Sequence, residues 1–200
     1  KEKEIAHIDK ILYHWRAHAL STADNPQSKM YAYEAGLHVL EDYLKRNDYS
    51  GNVSHTKHLG YYRIDYHQNA SQEYVLYVDE KLKPITANYE EIMKSYLERE
   101  NIGAVGGKIY GKNGKIISAG YYKNKDGKIE SYHYGLNRHY SGYMHGASVQ
   151  RDVEAVSRNA ILVRKEFADA LSMDSYKLCE MIRKSGYLVV FDPNIEFILK

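Results

Sequence analysis

The stretch EYVLYVDEKLKP, Glu73 to Pro84, constrains the fold more than any other. Five mostly apolar residues, Tyr74 to Val78, run straight into two acids, Asp79 and Glu80. A short apolar run without alternation reads as a buried strand, because helices of similar burial are longer. Asn159 to Val163 reads the same way. Ile102 to Tyr110 and Lys115 to Tyr122 read as strands around the turn Lys112-Asn113-Gly114. Tyr187 to Phe191 and Ile195 to Leu199 are expected as strands flanking Pro193, and Tyr61 to Tyr66 alternates as a further strand.

Helical patterns separate these runs. Asn25 is a candidate N-cap and Pro26 stands at the first helical position, where its missing N–H costs nothing. Met30, Tyr33, Leu37, Leu40 and Leu44 follow at spacings of three and four, which predicts an amphipathic helix ending near Arg46. Asn88 is expected to cap a helix whose face is Ile92, Met93, Tyr96 and Leu97. Glu166 to Leu171 reads as a short helix. Asp174 or Ser175 caps another that carries Leu178, Met181 and Ile182 and stops at Gly186. Ile8 to Trp15 reads as a strand, NDYSGNVSHTKH as a polar loop, and Tyr132 to Val149 as a long loop. Strands and helices alternate, so the fold class is α/β.

Two hundred residues fit one domain, or one domain with an appendage. A formal charge of +2 without a basic stripe argues against nucleic acid as a partner. Cys179 is the single cysteine, which rules out an intramolecular disulfide framework and fits a reducing compartment. No apolar run approaches the roughly 20 residues of a membrane span, and no signal peptide is evident. The 21 tyrosines are unusual. Their amphipathic rings suit half-buried strands, grooves and sugar-stacking platforms alike. The chain opens on KEKEIAH and stops on EFILK, so a piece of a longer polypeptide is expected.

Several stretches line up in order and spacing with family 2 glycosyltransferases of the GT-A fold. GAVGGKIYGKNGKIISAG, Gly103 to Gly120, resembles the segment that follows their aspartate motif. AVSRNAILVRKEF, Ala155 to Phe167, resembles the strand and helix after the acceptor loop. YKLCEMIRKSGYLVVFDPNIEF, Tyr176 to Phe197, resembles the last helix and strand. YVLYVDEKLKP stands where the family has an apolar strand ending in metal-binding acids. IDKILYHWRAHALSTADNPQSKMYAYEAG, Ile8 to Gly36, is similar to the connector that follows one such domain in tandem enzymes. The resemblance implies a partial GT-A-like mixed sheet flanked by helices, with an N-terminal strand–helix appendage. The expected division is a connector over 1–60 and a glycosyltransferase-like domain over 61–200.

The departures from the family bear on function. Only HQNASQ separates Tyr66 from Glu73, where the family places its nucleotide-binding half. The family's catalytic aspartate precedes the Leu-Cys of the last helix, and DSYKLC carries Ser175 and Lys177 at the matching positions, with Asp174 beside them. Neither serine nor lysine replaces a carboxylate that takes a hydroxyl proton. Asp79 and Glu80 are then either a vestigial metal pair or the polar lip of a strand. A divalent ion on a nucleotide diphosphate needs oxygen ligands from protein and substrate together. No cofactor is expected, with Mn or Mg only if the metal site survives.

Three further groups carry candidate chemistry. Arg16 and His18, in YHWRAHALS, match a tail that closes over a donor diphosphate, and arginine suits phosphate through its two parallel hydrogen bonds; solvated polar residues are the alternative. His133, in SYHYGLNRHYSGYMHG, matches a histidine near the family's acceptor sugar; loop structure, a glycan contact and a metal cluster with His139 and His145 all stand as readings. Lys108 and Lys115 read as turn-flanking charges. The leading expectation is a glycosyltransferase-like module without catalysis of its own, part of a larger enzyme of cell-surface polysaccharide synthesis in the cytoplasm at the inner face of the membrane. The alternatives are a fragment of an active nucleotide-sugar enzyme, and a carbohydrate-binding or protein-interaction module. Expected partners are an upstream glycosyltransferase domain and a second copy, paired through the sheet edge that the missing half leaves open.

Overall fold

The computed structural model describes residues 8–14, 16, 25–67 and 72–200. Asn25 accepts a hydrogen bond from the Gln27 N–H at 3.0 Å and starts a 3-10 turn, Pro26–Lys29, which leads into helix α1, Met30–Arg46. Strands β1, Gly51–His55, and β2, Tyr62–Tyr66, form an antiparallel hairpin against α1. Then come β3, Tyr74–Val78, and β4, Leu82–Pro84. Helix α2, Tyr89–Ser95, runs into a 3-10 turn, Tyr96–Glu98. Strand β5 is Ile102–Tyr110, β6 Ile116–Ser118, β7 Tyr121–Lys123 and β8 Ile129–Ser131. After a long loop follow β9, Arg151–Asp152, β10, Ala160–Arg164, a 3-10 segment Lys165–Ser172, helix α3, Ser175–Lys184, and β11, Leu188–Leu199.

Seven strands form one mixed sheet in the order β3-β10-β5-β11-β4, with β6 on β5 and β9 on β11. Strand β10 is antiparallel to both β3 and β5, and β5 is parallel to β11. On one face Leu178, Cys179 and Ile182 of α3 pack against Ala104, Ile161, Val163 and Phe191. On the other, Met93, Tyr96 and Leu97 pack against Ile102, Val105, Leu162 and Phe197. Both faces are covered, which is why β5 and β10 read as largely apolar runs: every residue of each is buried.

The α/β class and mixed sheet stand as expected, and the differences from the sequence reading have local causes. Ile8 to His14 form no strand and lie exposed, and Trp15 lies outside the described residues. The polar loop after α1 contains β1, whose GNVSH carries one large apolar residue; pairing with β2 makes it a strand, where its own pattern does not. That hairpin spans residue 60, where the connector was expected to end. Asn88 precedes α2 without a side-chain capping bond. Lys115 to Tyr122 is two strands, β6 and β7, broken at Gly120, whose φ of 89° lies in the left-handed region. The two C-terminal strands are one, β11, buckled around Pro193. Of the α1 stripe only Leu44 is buried, and Met30 is exposed.

Candidate functional site

The buckle in β11 builds the site. Phe191 pairs with Gly106 and Glu196 with Lys108, so β11 takes five steps where β5 takes two, and residues 192–195 arch out of the ladder. Gly107 allows this, because a Cβ there would lie 2.1 Å from the Ile195 carbonyl oxygen. Thr86 fastens the arch: its hydroxyl donates to the Asn194 carbonyl at 2.6 Å and accepts from the Glu196 N–H at 3.1 Å.

Asp192, at the start of the arch, is fully buried. Its carboxylate accepts from Arg63 Nη1 and Nη2 at 3.0 and 3.2 Å, from Tyr96 OH at 2.9 Å and from the Asn194 N–H at 2.9 Å. Burial alone would pull the Arg63 guanidinium down, but Asp192 more than offsets that, and its pKa lies above the ordinary arginine value. Burial, then Asp192, pushes Tyr96 well above the ordinary phenol value. Gln150 joins the group by bonding the edge of β2: it accepts from the Ile64 N–H at 2.9 Å and donates to the Ile64 carbonyl at 3.0 Å. The hairpin is therefore tied to the sheet through a buried ionic and amide network.

Above this network lies a cleft of about 530 Å³ between the hairpin, β5, the arch and the loop after β8. Four cationic side chains line it: Lys57, Arg63, Lys108 and Arg138. Arg63 is taken by Asp192, and also donates to Asp65 at 2.6 Å. Arg138 pairs with Glu196, which also accepts from Tyr110 OH. Lys108 is different. Its side chain is 5% exposed, and the one carboxylate within 4.0 Å of its ammonium among the described residues is Glu196, at 4.0 Å, beyond hydrogen-bond length. Burial draws its pKa below the ordinary lysine value; Glu196 and, less, Asp192 oppose this, while Arg138 and Lys57 add to it. A second cleft, about 450 Å³, lies along the hairpin and gathers Tyr61, Tyr62, Tyr66 and Tyr96.

The residues singled out from sequence fall elsewhere. Asp79 directly follows β3, and its Oδ1 accepts from the Lys81 N–H at 2.9 Å, closing the turn into β4. Exposed Glu80 accepts through its backbone carbonyl from Lys200 Nζ. Neither lines either of the two clefts. Among the described residues no group of three or more His, Cys, Asp or Glu side chains is placed to hold a metal ion. Arg16 is exposed, and His18 lies outside the described residues. His133 is half-buried with φ 60°, beside Gly142, where a Cβ would lie 2.5 Å from its ring. Its pKa is lowered by burial, then by Arg151 and Lys108, so it borders the cationic region. His139 lines the first cleft; His145 instead stacks on His58, with ring centroids 3.6 Å apart. Asp174 is the N-cap of α3 and accepts from the Tyr176 and Lys177 N–H groups at 2.9 and 3.3 Å.

The residues missed in the sequence are Arg63, Lys108, Arg138, Asp192 and Glu196. Lys108 does not flank a turn; it is an inward residue of the central strand β5. A lysine inside the otherwise apolar IGAVGGKIY was the available signal, since lysine is rarely buried without a partner.

No protein-family profile matches the chain. It is similar to an uncharacterized protein, y4gI, of Sinorhizobium fredii (strain NGR234), with 24% identity over 134 residues that cover 62% of this chain. The matched segment spans 15% of that protein's length. Among the described residues no helix is long and apolar enough to cross a membrane.

Proposed function

We propose that this chain is a glycosyltransferase-like module of the GT-A type that does not catalyse transfer itself. It serves as a binding or interaction part of a larger enzyme of cell-surface polysaccharide synthesis, working in the cytoplasm at the inner face of the membrane. One observation carries the reading: the strand that ends in the acid pair, β3, is the edge of the sheet, with β10 as its one strand partner among the described residues. A nucleotide-binding half would continue the sheet from that edge. Two further contacts support it. Asp79 closes a turn, and Asp174, the acid nearest the expected base position, caps a helix. The greater length of the Sinorhizobium fredii protein accords with a module inside a longer polypeptide.

The edge also supports the proposed second copy. Asp79 N–H bonds to the Asn159 carbonyl and Lys165 N–H to the Glu73 carbonyl, so the alternate residues Tyr74, Leu76 and Val78 turn their backbone groups outward. Antiparallel pairing about Leu76 would satisfy them in a two-fold dimer. A carbohydrate-binding role is the second reading, favoured by the four tyrosines of the smaller cleft.

The test is incubation of the chain with a panel of nucleotide sugars and acceptors in the presence of Mn²⁺ or Mg²⁺. No turnover is expected; turnover that Asp79→Ala abolishes would overturn the reading. Light scattering at micromolar concentration tests the dimer, and a monomer mass independent of concentration would remove it.

A further inference from the structure

We propose that the cleft between β2, β5 and the arch of β11 binds the anionic group, a carboxylate or a phosphate, of a saccharide, with Lys108 as its buried counter-ion. The anion follows from charge and geometry. An ammonium with little access to water costs free energy unless it is paired, and lysine is rarely buried without a partner. Lys108 sits there with no acceptor in hydrogen-bond reach among the described residues. The nearby acids are already engaged, Asp192 by Arg63 and Glu196 by Arg138 and Tyr110. Lys57 adds a second positive charge at the mouth without an ion-pair partner among the described residues. The cleft is thus prepared for negative charge that the described side chains do not supply. Its volume, about 530 Å³, exceeds what a bare phosphate fills.

The remaining wall argues for a hydroxylated ligand. Ser148 and Asn194 present a hydroxyl and an amide to the cleft, while Pro193 and Tyr62 offer apolar surface. Polar groups interspersed with apolar surface suit a sugar ring. Assigning a saccharide rests on the proposed function; assigning an anion does not.

The experiment is calorimetric titration of the intact chain with inorganic phosphate, glucuronate, glucose 1-phosphate and glucose. One of the two acidic sugars is expected to bind more tightly than phosphate, and neutral glucose not to bind at millimolar concentration. Lys108→Met is expected to weaken the anions about tenfold or more, and Arg138→Gln, on the exposed side, several-fold. Lys108→Met removes a buried charge and keeps an unbranched side chain, so the free protein should melt no lower than the wild type. Phosphate should raise the melting temperature of the wild type but not of Lys108→Met. No binding of any anion, or binding unchanged in both variants, overturns the proposal. Phosphate binding as tightly as both acidic sugars overturns the saccharide assignment and leaves a bare anion site. Turnover of a nucleotide sugar would refute the non-catalytic reading and leave the anion site standing, so the two failures are distinguishable.

Discussion

Removing the Asp192 carboxylate should loosen the hairpin from the sheet. Asp192 is fully buried and accepts hydrogen bonds from Arg63, Tyr96 and the Asn194 N–H, while the Arg63 side chain is 17% exposed. Asp192→Ala strands the guanidinium with Asp65 alone and deprives Tyr96 of its acceptor. Breaking one side of a buried ion pair costs about 3–5 kcal/mol. For a domain of this size that lowers Tm by roughly 6–20 °C. Asp192→Asn keeps one acceptor oxygen and loses the charge, at a cost of about 1.5–3 kcal/mol. The double variant Arg63→Met/Asp192→Leu removes both charges and should recover much of the loss, because the desolvation penalty goes with them. Urea unfolding, followed by tyrosine fluorescence and by circular dichroism to establish two-state behaviour, reads all three. A loss below about 1 kcal/mol for Asp192→Ala, the value of an exposed pair, would refute the buried-network reasoning.

Acidification should destabilise the fold. His58 is lowered from 6.5 by desolvation, then by His145 and Lys57, and His133 is lowered by burial, then by Arg151 and Lys108. The unfolded chain binds these protons first, so their contribution is full above about pH 6.5 and lost as pH falls through the folded values. Tm should hold from pH 8 to 7 and drop towards pH 5, less steeply in His58→Phe; a flat profile contradicts this. Gly107→Ala drives a methyl into the Ile195 carbonyl, 2.1 Å away, and should cost about 1–3 kcal/mol or more by denaturant titration. A loss within error would mean that the arch is not held there. Leu44→Ala, at the buried end of the α1 stripe, should cost about 2–5 kcal/mol, and a neutral result would mean that α1 does not dock.

The fold was legible where local pattern and tertiary burial agree. Strands β5 and β10 are largely apolar because both faces of the sheet cover them, and α3 carries its cap and its glycine stop in plain order. Strand β3, which reads as buried, is instead a half-buried edge strand with Tyr77 exposed, because no further strand closes that side among the described residues. Strand β1 was hidden because its structure comes from β2, not from GNVSH. The cleft was hidden for a related reason. Asp192 becomes a hub only because the buckle in β11 brings it to Arg63, 129 positions away in sequence. Asp79 and Glu80 are adjacent acids after a strand, yet among the described residues adjacency brings no third His, Cys, Asp or Glu side chain to them. Lys108, inside an otherwise apolar run, was the one sequence signal of the site, although it reads locally as a turn-flanking charge.

The proposed binding chemistry lies at the β11 arch and not at the acids that follow β3. Amide NMR reads both places at once. Phosphate should shift the resonances of Lys108, Arg138 and Asn194, while Mn²⁺ with a nucleotide sugar should leave Asp79, Glu80 and Lys81 without selective broadening. Selective broadening centred on Asp79 that appears only with the nucleotide sugar, together with unshifted resonances at the arch, would contradict it.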